Sequence, residues 1–257
     1  MKKLTKITFT PLRFFYLMGL ITLISVICGS DSFGQQKTDS LLAALKTAKH
    51  DTTKVNILNA LCWQLKYSYP DSAKAYCRKA MLRARGMQEG GAKQPPQIKG
   101  WLKKSKAKSL NNLGAIHYLQ GDYPEAVSCY QRSLTINEAL GDKRGVAGSL
   151  NNLGAVHYAQ GDYPEAVSCH QRSLTIKEAL GDKKGVASSL NNLGNVHYAQ
   201  GDYPEAVSCY QRSLTIKEAL GDKKGVAASL NNLGLVHYEQ GDYPEAVSCY
   251  QRSLTIK

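Results

Sequence analysis

From Ser109 onward, apolar positions return in steps of three and four. In the stretch Ser189 to Ala228 they fall at Leu190, Leu193, Val196 and His197, then at Ala206, Tyr210, Ser213 and Leu214. This spacing predicts two amphipathic helices rather than strands. Gly201 is placed to end the first, because glycine takes the left-handed C-terminal conformation cheaply. Asp202 opens the second, with Glu205 three residues on as in a capping box, and Pro204 falls in the first turn, where a missing N–H costs nothing. Gly221 stops that helix and Asp222 caps the next. Connections of two residues force antiparallel neighbours, so the pattern predicts an all-α chain of helical hairpins.

The same phrase recurs every forty residues, in units 109–148, 149–188 and 189–228 and a fourth, 229–257, that stops in mid-phrase. The second and third units differ only at Ala155/Asn195, His170/Tyr210 and Ser188/Ala228. A helical hairpin cannot bury its apolar face alone, and stacking on copies of itself solves this, so the expected architecture is a right-handed superhelical solenoid. An array normally finishes with a polar capping helix, so the chain is expected to continue beyond Lys257.

The order Leu190, Leu193-Gly194, Gly201, Tyr203, Ala206, Tyr210 resembles the tetratricopeptide repeat, with its W-x2-L-G-x2-Y, A-x3-F and P pattern. The resemblance implies that Gly194 and Ala206 are the small residues where paired helices cross. Leu190 stands in the tryptophan place, His197 in the tyrosine place, Ser213 in a place usually held by alanine, and the closing proline is absent. The forty-residue form is similar to that of kinesin light chains and of adaptors with Leu-Gly-Asn repeats, whose signature Leu193-Gly194-Asn195 reproduces. A weaker copy with a Tyr69-Pro70 turn lies at 35–85. The insertion 86–108 follows it, and its EGGAKQPPQIKG is expected to interrupt helix. The segment DSLLAALKTAKHDTTKVNILN also resembles the start of repeat-bearing exported regions of bacterial sensor kinases. That likeness implies the alternative of a sensory region attached to a kinase.

Residues 1–34 change the picture of location. Lys2, Lys3, Lys6 and Arg13 precede an apolar run from Phe14 to Cys28 and then small residues, which is the layout of a secretory signal. Cleavage near Gln35 would place the chain in the periplasm or on the surface of a bacterium, with no membrane span left. The net charge of +13 is uneven: residues 36–108 carry sixteen Lys/Arg against four Asp/Glu, whereas the repeats are slightly acidic. A nucleic-acid reader needs a basic stripe along its binding surface, so no nucleic acid is expected. The lysine-rich KGWLKKSKAK is expected to be a loosely ordered, solvated face or to meet an acidic partner.

Cysteines and histidines that recur at the repeat period lie in different layers roughly 8–10 Å apart, too far to bridge or to converge on a metal. Cys129, Cys169, Cys209 and Cys249 are therefore expected to be small buried hydrophobes, and His117, His157, His197 and His237 to pack with one satisfied hydrogen bond. Cys62 and Cys77 flank the Tyr69-Pro70 turn and could be joined across one hairpin. GDKKG lacks the strand and Gly-Lys-Ser/Thr order of a phosphate loop. No catalytic set, cofactor fingerprint or metal site stands out.

The binding surface is expected on the first helix of each hairpin. Aligned units change mainly at Ala115/Ala155/Asn195/Leu235, at Leu119/Ala159/Ala199/Glu239 and at Lys108/Gly148/Ser188/Ala228, which share one helical stripe. Along it run the unchanging Asn111, Asn151, Asn191 and Asn231, bordered by Tyr118, Tyr158, Tyr198 and Tyr238. Either the asparagines hold an extended peptide while the varying residues select it, or the repeats have drifted where packing does not constrain them. The reading is a scaffold for a protein or peptide, with self-association through the last repeat as a further option.

Overall fold

The computed structural model describes residues 34–89 and 96–256. The signal-like stretch, apart from Gly34, and the centre of the Gly/Pro-rich insertion lie outside these residues. Among the described residues the chain is helical, with no strand. The helices are α1 (34–47), α2 (Asp51–Leu65), α3 (Pro70–Glu89), α4 (Pro96–Leu119), α5 (Tyr123–Ala139) and α6 (Lys143–Ala159). They continue with α7 (Tyr163–Ala179), α8 (Lys183–Gln200), α9 (Tyr203–Ala219), α10 (Lys223–Glu239) and α11 (Tyr243–Thr255).

Each even-numbered helix from α2 pairs with its successor as an antiparallel hairpin, and each hairpin packs on the next. The result is the expected solenoid. The hairpins start at Lys143, Lys183 and Lys223, so Ser149, Ser189 and Ser229 each lie six residues inside a helix. There is no single central core; apolar clusters follow one another along the array. Leu190, Val196 and Ala206 are fully buried, as the spacing requires. Burying each leucine contributes about 1.5–3 kcal/mol. Seven turn glycines from Gly121 to Gly241 have positive φ, including Gly201 at 77°.

Three local expectations need correction. Residues KGWLKKSKAK are not a loose face: they are the first half of α4, where Leu102 is buried against Val55, Leu58, Ala80 and Ala84 and Trp101 packs on the same cluster. PQIKG does not interrupt helix either, because Pro96 begins α4 and Gly100 lies within it; proline is tolerated at the start of a helix. Asp202 forms no capping box, since it and its counterparts Asp122, Asp162 and Asp242 accept no cap bond from the backbone N–H groups of their own helix. A histidine ring nitrogen faces each of these carboxylates across the turn, hydrogen-bonded at His117 but not at His197, whose buried Nδ1 lacks the satisfied bond expected of it. Asp142, Asp182 and Asp222 do cap, accepting from the N–H of Gly145, Gly185 and Gly225 at 3.1, 2.9 and 3.0 Å.

At the basic end, Cys62 and Cys77 are joined in a disulfide across the α2–α3 hairpin, with Cα atoms 5.5 Å apart. Among the described residues the other four cysteines are free; Cys129 and Cys169 are buried, but Cys209 and Cys249 only partly.

Candidate functional site

Close approach of the paired helices sets the wall of the candidate groove. A Cβ on Gly194 would lie 2.6 Å from the Tyr210 ring, and Gly114, Gly154 and Gly234 are covered in the same way by Tyr130, His170 and Tyr250. The glycine lets the ring lie flat on the backbone of the facing helix. Ser213, in the alanine place, uses its hydroxyl: it donates to the Ala187 carbonyl at 2.9 Å, and Ser133 and Ser173 repeat the bond to Ala107 and Ala147.

The asparagine row on α4, α6, α8 and α10 is tied to the next hairpin. Asn152 donates its amide to Asn111 Oδ1 at 3.3 Å, Asn192 to Asn151 Oδ1 at 3.1 Å, and Asn232 to Asn191 Oδ1 at 3.2 Å. A lysine joins the same acceptors from below: Lys177 Nζ reaches Ser189 Oγ at 2.7 Å and Asn151 Oδ1 at 3.4 Å. Lys217 does the same with Ser229 and Asn191, at 2.8 and 3.5 Å. Burial lowers the pKa of both lysines, opposed by Asp182 and Asp222. In the α4–α5 hairpin Asn137 takes the lysine's place and bridges Ser133 and Ser149.

The acceptor half of Asn111, Asn151 and Asn191 is therefore engaged inside the protein. Their Nδ2 groups take no partner among the described residues, so the row presents donors. Asn195 follows the same rule, because the Tyr210 hydroxyl donates to its Oδ1 at 2.8 Å. Asn231, on the last hairpin, is exposed.

Tyr118, Tyr158, Tyr198 and Tyr238 border the row, and each meets a tyrosine of the following helix across the turn, with ring centres 6.0, 6.1, 6.0 and 5.6 Å apart. Burial raises the pKa of Tyr118 and of Tyr198, and the Glu239 carboxylate adds to the effect at Tyr198. Leu119 and Leu235 remain exposed at the rim. Lys108, Ser188 and Ala228 are also exposed, whereas Ala115, Ala155 and Asn195 are half-buried.

The recurring histidines sit at the hairpin turns. Nδ1 of His117, His157, His197 and His237 lies 2.8, 3.2, 3.2 and 3.6 Å from Oδ2 of Asp122, Asp162, Asp202 and Asp242. Among the described residues no group of three His, Cys, Asp or Glu could hold a metal ion, and no helix is long and apolar enough to cross a membrane.

Sequence reasoning missed the second asparagine of each pair and the lysines at 177 and 217. The doublet Asn-Asn was a usable signal, since two adjacent residues on one helix cannot share a face. Nothing in the sequence sets the two lysines apart from others in the repeats.

The tetratricopeptide repeat family model matches residues 105–179 and 185–257. No curated protein sequence matches the chain. Among solved structures, BtubC (BKLC) from P. vanneervenii superposes with a TM-score of 0.69, at 22% identity over 88% of each chain. A putative kinesin light chain from Podosopora anserina with nearly identical TPR-like repeats gives 0.62, at 17% identity over 81% of this chain and 97% of that one. Aspartyl phosphate phosphatase F from Bacillus subtilis gives 0.61, at 12% identity over 87% of this chain and 68% of the other. At these identities the structures share the fold. With its glycine-seated rings, its forty-residue hairpins and two matching blocks of repeats, the chain belongs to the tetratricopeptide repeat family.

Proposed function

We propose that the protein is an exported binding scaffold which holds an extended peptide or a peptide-like segment of a partner protein along α4, α6, α8 and α10. The observation that carries this reading is the half-engaged asparagine row. Asn111, Asn151 and Asn191 have their oxygens fixed by the next hairpin, so their amide N–H groups stand in register as donors. An extended backbone offers carbonyl acceptors that match such a row, and the tyrosine border adds apolar area for side chains. Asn195 and Leu235, where Ala115 and Ala155 stand in the other units, would then select among peptides.

The internal bonds determine how this is tested. Replacing the asparagines by alanine would also break the contacts between hairpins. Asn151→Asp with Asn191→Asp keeps an acceptor for Asn192, Asn232 and the two lysines but removes the donors and adds charge that repels carbonyls. Peptides selected on the wild-type full-length chain from a displayed library are expected to bind the double variant at least about tenfold more weakly, about 1.4 kcal/mol or more. The thermal melt should be unchanged. Equal affinity for the two proteins would remove the asparagine row from the function.

Export rests on the first thirty-four residues. Expressed with its own N-terminus in a bacterium, the protein should be recovered from the periplasm or surface with a mass corresponding to a start near Gln35. Recovery of the uncut chain from the cytosol would exclude export.

A further inference from the structure

Lys108 aside, the candidate groove uses none of the basic charge of residues 36–108, and the structure gathers part of that charge around an open cavity. The cavity, of about 620 Å³, lies among α1, α2 and α3 and is walled by Leu45, Leu58 and Leu82. Lys46, Lys54, Lys79 and Arg83 ring it. Leu82 is 66% exposed, unusual for a leucine with a core nearby. One carboxylate answers the four cations: Asp51 lies 2.8 Å from Arg83 and 3.9 Å from Lys54. Among the described residues no carboxylate lies within 4 Å of Lys46 or Lys79. Lys79 Nζ sits 5.7 Å over the Tyr76 ring instead.

Such a cavity has the size and composition of a small-molecule site: apolar walls with a few charged groups that fix orientation. Its charges are of one sign and largely unanswered, which selects an anion. Its floor is leucine, which selects an aliphatic body. The stretches 1–33 and 90–95 do not supply such an occupant, because the first carries Lys2, Lys3, Lys6 and Arg13 against Asp31 and the second carries Lys93 and no acid.

We propose that this cavity binds an amphipathic anion, with a carboxylate or phosphate head between Lys46 and Lys79 and an aliphatic body against Leu45, Leu58 and Leu82. Two sources share this chemistry: a free alkyl carboxylate or phosphate, and an anionic lipid in a bilayer.

Titration of the full-length protein with decyl phosphate, followed by calorimetry, tests the site. Binding is expected with wild type and is expected to weaken at least tenfold in Lys46→Glu with Lys79→Glu and in Leu82→Asp. All three side chains are exposed, so the helical melt should stay in place. Inorganic phosphate or decanol binding as tightly as decyl phosphate would overturn the proposal, because head and body are both required. Unaltered affinity in either variant would overturn it as well. Sedimentation with phosphatidylglycerol vesicles but not with phosphatidylcholine vesicles, abolished by the double lysine variant, assigns the head to a bilayer lipid. Binding of decyl phosphate without vesicle binding assigns it to a free molecule. Absence of both removes the site.

Discussion

At His170 a single changed residue alters the energetics of one hairpin. Tyr130, Tyr210 and Tyr250 lay a phenol ring on the facing glycine, and His170 lays an imidazole on Gly154 in their place. The side chain is 2% exposed and its Nδ1 has no hydrogen-bond partner. Burial, helped by the Lys177 charge, pulls its pKa down to about 4. The unfolded chain binds a proton near pH 6.5 that the folded chain refuses, so the stability this residue confers is complete above that pH and is lost as pH falls towards 4. Between pH 7 and pH 5 the loss is about 2 kcal/mol. His170→Tyr should remove this dependence. Urea midpoints at the two pH values are expected to separate less for the variant than for wild type, and equal separations would contradict the account.

Two glycines on first helices should respond in opposite ways, at the scale of the element. Gly194→Ala drives a Cβ into the Tyr210 ring, 2.6 Å away, and must push α8 from α9; overpacking of this kind costs about 1–3 kcal/mol. Gly148, within α6, has nothing within 4 Å of its Cβ position, so Gly148→Ala should stabilise by about 0.5–1 kcal/mol through helix propensity alone. Chemical denaturation of the two variants checks both signs. The helices themselves were legible in the sequence, because Leu190, Leu193 and Val196 repeat with helical spacing and Gly201 marks the stop. The fate of Asp122 and its counterparts was not, since the rule for a cap knows nothing of a histidine such as His117 across the turn. Nor was the order of residues 96–108, where the apolar pair Trp101-Leu102 is outnumbered by lysines and its partners Val55 and Ala80 lie far away in sequence.

Among the described helices contacts run within hairpins and between adjacent ones, so stability is distributed rather than shared. The Cys62–Cys77 bond closes a loop of fifteen residues, for which the chain-entropy account gives about 3 kcal/mol. Reduction should therefore loosen α2 and α3 and leave α6 to α11 in place. Hydrogen exchange followed residue by residue is expected to show faster exchange confined to the first hairpin and its border with α4; uniform acceleration would mean the array unfolds as one body. The candidate groove was legible as a stripe, because Asn111, Asn151 and Asn191 recur on one face. Its chemistry was not, since which atom of an amide is already bonded depends on residues forty-one positions away.

That spacing has a consequence for how such a chain can change length. Each junction needs the first asparagine of one hairpin and the second asparagine of the next, as in the bond from Asn192 to Asn151. Loss or duplication of forty residues rejoins equivalent halves and restores the asparagine bond between them. Loss of twenty would set a second helix where a first helix belongs, with no asparagine to meet. The junction thus acts as a counter that accepts only whole steps, and genetic recombination between these near-identical segments would yield longer or shorter arrays that fold without further mutation.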